Sequence, residues 1–211
     1  FDRMSQLRQI REELPTLKEI ILIPYLRENP DANGFKDCVL WQQVMERHAG
    51  AELTFEAVPF SHPLWILYSS GTTGKPKGIV HSQGGILLEH LKFCGLHLDL
   101  KETDRFFWFT TTGWMMWNVV VSGLLMGSAI VLYDGNPFHP DHEAMWRLAE
   151  DAGITVFGTS AAYLTACMKA GLKPKEKFDL TALRSIGSTG SPLPESGFRW
   201  VYEHVKKEIW L

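Results

Sequence analysis

Short apolar runs alternate along this chain with stretches whose apolar residues recur every three or four positions. The runs at 20–23, 64–68, 105–109, 129–133, 155–157 and 183–186 are bounded by Gly, Pro, Asp or Ser and read as buried strands. Met145, Leu148, Ala149 and Ala152 fall at i, i+3, i+4 and i+7, the spacing of one buried helix face. Leu164, Cys167 and Met168 repeat that spacing, as do Phe198, Val201, Tyr202 and Val205. Residues 1–14 read as an amphipathic helix feeding the first strand, Gly171 as a helix C-cap, and Pro-Asp-Ala-Asn-Gly at 30–34 as a turn. Strands alternating with helices of this length predict an α/β fold, a mostly parallel sheet flanked by helices. No internal repeat or long linker interrupts the pattern.

Composition narrows the function classes. The 211 residues are 45% hydrophobic and 21% charged with a net charge of −3, so no basic field points to nucleic acid or an anionic membrane. No apolar run reaches the roughly 20 residues of a membrane span. The longest candidate, residues 119–132, is broken by Ser122, Gly123, Gly127 and Ser128. Cys38, Cys94 and Cys167 are far apart and form no CxxC pair, which fits reduced thiols in the cytosol. Both ends read as cut, since the chain opens on Phe1 and closes on the apolar Ile209-Trp210-Leu211.

The chemistry concentrates in Tyr68-Ser69-Ser70-Gly71-Thr72-Thr73-Gly74-Lys75-Pro76-Lys77-Gly78, directly after an apolar strand. Three glycines let backbone approach a ligand closely. Their N–H groups, with four hydroxyls and two lysines, suit the β- and γ-phosphates of a nucleotide. The loop is not a Walker A sequence, because Pro76 stands five positions after Gly71 and Ile79 follows Gly78; nor does it contain a Gly-x-Gly dinucleotide fingerprint. Left without a ligand, it would be a solvated surface loop.

Ser-Ser-Gly-Thr-Thr-Gly-Lys-Pro-Lys-Gly resembles the phosphate loop of the adenylate-forming superfamily, which holds acyl-CoA synthetases, luciferases and peptide-synthetase adenylation domains. His81-Ser82-Gln83-Gly84-Gly85 resembles the His-x-x-Gly-Gly that follows this loop in acetyl-CoA-synthetase-like members, and the segment from Phe106 through Thr111-Thr112-Gly113-Trp114-Met115-Met116-Trp117-Asn118 resembles the acetoacetate-activating branch of the acyl-CoA synthetases. Val131-Leu132-Tyr133-Asp134-Gly135 and Gly187-Ser188-Thr189-Gly190-Ser191-Pro192-Leu193 do the same. The resemblance covers essentially the whole chain, with the first fifty residues less distinctive.

The resemblance implies an incomplete N-terminal AMP-binding domain over residues 1–211, with the C-terminal lid and the metal- and ribose-binding motifs absent. It implies activation of acetoacetate by ATP and transfer to CoA, with AMP and pyrophosphate released, in the cytosol; this piece alone is expected to be inactive. Mg²⁺ arrives bound to ATP, no protein metal site is expected, and the partners are the small molecules acetoacetate, ATP and CoA. Ser69, Ser70, Gly71, Thr72, Thr73, Gly74, Lys75, Lys77 and Gly78 are expected to grip the phosphates. Of these, Thr72, Thr73 and Lys77 stabilise the reacting group, while Lys75 is either a contact or a solvated lysine. Gly190, Ser191 and Pro192 are implied beside the adenine, although Ser191 stands where related enzymes carry Glu; the same residues also read as a strand-to-helix turn.

Gly113, Trp114, Met115 and Met116 are implied in the acyl pocket, with aromatic core packing the alternative for Trp114; Trp108 reads as core. His81 reads as structural or substrate-positioning, and the other histidines lack metal-ligand spacing. Three competing readings stand beside this one: an acetyl- or propionyl-activating ligase, a P-loop kinase or NTPase, and a non-catalytic nucleotide-binding piece.

Overall fold

The computed structural model describes residues 3–25, 35, 37–69 and 74–211. The turn expected at 30–34 lies outside the described residues. The chain divides into two compact units, Phe1–Ala57 and Val58–Leu211.

In the first unit, helix α1 (Met4–Glu13) precedes strand β1 (Ile20–Leu22), which pairs in parallel with β2 (Cys38–Leu40); helix α2 (Trp41–Arg47) follows. The expected first helix and strand are both present. Arg11 reaches Asp37 at 2.9 Å, tying α1 to the start of β2.

The second unit opens with an antiparallel pair, β3 (Pro63–Ser69) and β4 (Lys77–Ser82), followed by α3 (Gln83–Lys92), which runs into a π-helical turn at Phe93–His97. Strand β5 (Arg105–Trp108), helix α4 (Met115–Ser122) and β6 (Ala129–Val131) come next. Then follow α5 (Ala144–Asp151), β7 (Val156–Ser160), α6 (Ala161–Lys169), the short α7 (Pro174–Lys177), β8 (Ser185–Thr189) and α8 (Glu195–His204). The long apolar stretch at 119–132 is divided among α4, a 3₁₀ turn at Gly123–Met126 and β6. Among the described residues no helix is long and apolar enough to cross a membrane.

Strands β6-β5-β7-β8 form a four-stranded, wholly parallel sheet with helices on its faces, the α/β layering expected from the alternation. Both faces are buried, so the strands read as continuous apolar runs. Phe107, Phe157 and Ile186 point to one face and pack with Met145, Trp146 and Leu164 of α5 and α6. Phe106, Trp108 and Val156 point to the other, toward Val119 and Val120 of α4 and Cys94. Gly171 ends α6 as expected: its φ of +68° lets the Leu172 N–H reach the Cys167 carbonyl at 3.1 Å and its own N–H reach that of Met168 at 3.0 Å.

One packing feature explains two glycines that strand propensity disfavours. Trp108, Gly158 and Gly187 lie side by side in register on β5, β7 and β8. The indole lies across both glycines. A Cβ at Gly158 would come within 2.0 Å of it, and one at Gly187 within 2.4 Å.

At the opposite, amino-terminal edge of the sheet sits a charged clamp. The Asp104 carboxylate, 5% exposed, accepts from Arg184 at 2.7 and 2.9 Å, from the Thr155 hydroxyl at 2.6 Å and from the Lys101 N–H at 2.8 Å. Arg184 also donates to the carbonyl of Asp99 at 2.7 Å. Three segments that meet at the sheet's base are joined through one carboxylate. Burial pushes its pKa up, but the hydrogen bonds from Arg184, Thr155 and Lys101 together outweigh burial and hold it below the ordinary carboxylate value.

Cys94 and Cys167 are buried, Cys38 is half-buried, and all three are free thiols. Burial is the first cause raising the pKa of each, so none is activated as a nucleophile.

Candidate functional site

The glycine-rich loop joins β3 to β4, which pair antiparallel with Ser69 opposite Lys77 and Tyr68 opposite Gly78. Seven residues, 70–76, are too few for the crossover a parallel pair needs, so this pair stands outside the parallel sheet. Of the implied phosphate contacts, Ser69, Gly74, Lys75, Lys77 and Gly78 gather at the end of this hairpin. Ser70, Gly71, Thr72 and Thr73 lie outside the described residues. Lys75 and Lys77 are exposed, and neither forms a salt bridge among the described residues.

Strand β4 turns directly into α3. The Ser82 hydroxyl caps that helix by accepting from the Gly85 N–H at 3.2 Å. A Cβ at Gly85 would fall 2.7 Å from that oxygen, and one at Gly84 would fall 2.0 Å from the Phe60 ring. The paired glycines after His81-Ser82 thus let the first turn of α3 close over Phe60 while keeping its cap.

His81 stands opposite Trp65 in the hairpin. The Trp65 indole N–H donates to His81 Nδ1 at 2.9 Å. His90 of α3, only 7% exposed, lies against the same indole with ring centroids 5.8 Å apart. Burial is the main cause lowering its pKa, opposed by Glu89 and reinforced by His81, so His90 is neutral at neutral pH.

His81 and His90 border a cavity of about 670 Å³. Its walls bring together β4 and the first turn of α3, Trp108 at the end of β5, Met115 and Met116 in the first turn of α4, and Thr189 at the end of β8. The placement has a topological reason. The chain runs from β5 outward to β6, then returns to the other side of β5 for β7 and β8. Parallel sheets open a ligand crevice at such a switch point, at the carboxyl ends of the strands. Ser160, which ends β7, caps α6 through the Tyr163 N–H at 3.1 Å.

Of the residues implied in the acyl pocket, Met115 and Met116 line the cavity, whereas Gly113 and Trp114 do not. Trp114 is the N-cap of α4 in extended conformation and is 64% exposed. Trp108, read as core, is buried at 6% exposure and also forms cavity wall. Gly190 takes a φ of +88° just past β8. Ser191 and Pro192 border a separate hollow of about 330 Å³ against Ala162 and Thr165 of α6, and Pro194 is the N-cap of α8. Trp65, His90 and Thr189 were not singled out from the sequence. Reading 70–76 as a hairpin loop would have placed Trp65 opposite His81 by register alone. Among the described residues no group of three or more His, Cys, Asp or Glu side chains is placed to hold a metal ion.

A parallel sheet flanked by helices, with a carboxyl-end crevice beside a glycine- and lysine-rich hairpin, defines the class: an α/β protein of the doubly wound kind. The chain belongs to the AMP-binding enzyme family, whose model matches residues 2–210. It is 42% identical over 215 residues to the acetoacetyl-CoA synthetase of Gallus gallus, covering all of this chain and 32% of that protein. It is 42% identical over 172 residues to a malonamoyl-CoA synthetase of Penicillium aethiopicum, covering 75% of this chain and 24% of that one. The solved acetoacetyl-CoA synthetase from Streptomyces lividans superposes with a TM-score of 0.88 at 54% identity, over 99% of this chain and 32% of its own. The chain therefore spans about a third of the length of the curated relatives it matches.

Proposed function

We propose that this chain is part of the N-terminal, AMP-binding domain of an acid–thiol ligase that activates acetoacetate with ATP and passes the acyl group to CoA. The observation that carries the reading is the cavity at the switch point, bordered by Met115, Met116 and Trp108 and adjoining the glycine-rich hairpin. The names of the relatives supply the acid. Acetoacetate and malonamate share a short backbone with a carbonyl at C3, and the cavity joins apolar walls to a few polar groups.

In the proposed reaction the acid's carboxylate attacks the α-phosphorus of ATP and pyrophosphate leaves. The CoA thiol then displaces AMP from the acyl-adenylate. No nucleophile from the protein is needed; its work is positioning and charge stabilisation. Lys77, fixed by the β-ladder at the mouth of the loop, supplies positive charge to the departing phosphates, and the hydroxyls of Thr72 and Thr73 donate to their oxygens. Ser69, Ser70, Lys75 and the backbone of Gly71, Gly74 and Gly78 complete the grip. Gly190, Ser191 and Pro192 lie beside the adenine. Mg²⁺ enters with ATP, held by phosphate oxygens and water.

The nucleotide product tests this reading. The full-length protein carrying this chain is expected to release AMP, in an amount set by added acetoacetate and CoA. Release of ADP, or nucleotide turnover indifferent to any acid, would contradict it.

A further inference from the structure

A pocket that selected its acid by apolar fit alone would not place two imidazoles in its wall. His81 and His90 both border the 670 Å³ cavity, and both touch the Trp65 indole. The geometry at His81 is informative because an indole nitrogen carries a hydrogen and can only donate. Trp65 Nε1 donates to His81 Nδ1 at 2.9 Å, so Nδ1 is the bare nitrogen and the imidazole's proton sits on Nε2. That Nε2–H has no hydrogen-bond partner among the described residues.

Ser82, Glu89, His90 and Thr189 border the same cavity. The Ser82 oxygen caps α3. The Glu89 carboxylate accepts from Lys92 at 2.8 Å and has no proton to give. An acid that fills this cavity beside Met115, Met116 and Trp108 displaces water from that donor, and leaves it unpaired unless the acid supplies an acceptor.

We propose that His81 Nε2–H donates to the C3 carbonyl oxygen of the acid, and that Trp65 is the positioning residue that fixes the tautomer. Site and substrate class rest on the proposed ligase reading; the new element is the group that distinguishes a 3-oxo acid from its saturated counterpart. Discrimination arises because butyrate, which matches acetoacetate except for that oxygen, leaves the N–H unpaired.

The test measures acid-dependent ATP–pyrophosphate exchange by the full-length protein, with acetoacetate and butyrate as paired probes. The ratio of their kcat/KM values is expected to favour acetoacetate and to fall roughly 10- to 100-fold in His81→Phe. His81→Gln, whose amide also carries N–H donors, is expected to recover part of the ratio. Trp65→Phe is expected to lower the ratio less than His81→Phe does. Equal losses for the two acids in His81→Phe, with soluble protein and a wild-type preference for acetoacetate, would overturn the inference and leave the ligase reading standing. Wild-type protein that exchanges with neither acid would remove the ligase reading itself.

A second readout needs no turnover. In ¹⁵N spectra of the imidazoles, His81 is expected to show a protonated Nε2 and a bare Nδ1 in wild type, and a tautomer mixture in Trp65→Phe. A protonated Nδ1 in the wild type would overturn the inference whatever the kinetics.

Discussion

Gly158→Ala is expected to destabilise the protein by about 2–4 kcal/mol and to disrupt the cavity wall in the same step. The new methyl would sit 2.0 Å from the Trp108 ring, at a position flanked by paired strands on both sides, so neither backbone nor indole has room to yield cheaply. The ring must leave its place over the two glycines, and with it goes one wall of the cavity. Urea unfolding of the single variants Gly158→Ala and Trp108→Leu and of the double variant measures the effect. The double variant is expected to be less destabilised than the sum of the singles, because the smaller side chain frees the space the methyl needs. Strict additivity would show that the indole is not what excludes the methyl.

Asp104→Asn should cost about 3–5 kcal/mol at neutral pH, since it leaves Arg184 without its counter-charge at the sheet's base. Because Arg184 keeps a third of its side chain in water, the lower end of that range is the better expectation. The sign of the pH dependence follows from the depressed pKa of Asp104 in the fold. The carboxylate's contribution is complete above the unfolded-state value of about 4 and is lost as pH falls through the lower folded value. The stability gap between wild type and Asp104→Asn should therefore be flat from about pH 7 to 5 and shrink below about pH 4. Chemical denaturation across that range checks it. A gap that widened on acidification would mean the carboxylate is not held ionised by Arg184.

Much of this architecture is legible in the residues. Each apolar run read as a strand overlaps one, and the helices over 144–151, 161–169 and 195–204 follow the three-to-four spacing that reveals them. What was not legible has physical causes. Apolarity marks a strand but not its direction, so residues 64–68 and 79–81 gave no sign of antiparallel pairing; only the short loop between them does. Strands β7 and β8 run on to Ser160 and Thr189 because ladder hydrogen bonds continue through glycine and hydroxyl residues, where the apolar pattern has stopped. The three residues of β2 are too few to show a period.

The site was legible in pieces. Met115 and Met116, which the resemblance singled out, occupy the first turn of α4 and border the cavity. Trp114, one residue earlier, is exposed because the helix begins after it. The Trp65–His81 pair depends on hairpin register, and the contact of His90 with the same indole on the packing of α3; neither is written in any single segment.

The central claim is that this chain helps to build an acid-activating, adenylate-forming site, and acid-dependent ATP–pyrophosphate exchange by the full-length protein tests it most directly. Across acetoacetate, acetate, propionate and longer acids, the account predicts strong exchange with acetoacetate and little with acetate. Exchange with no acid at all would contradict it.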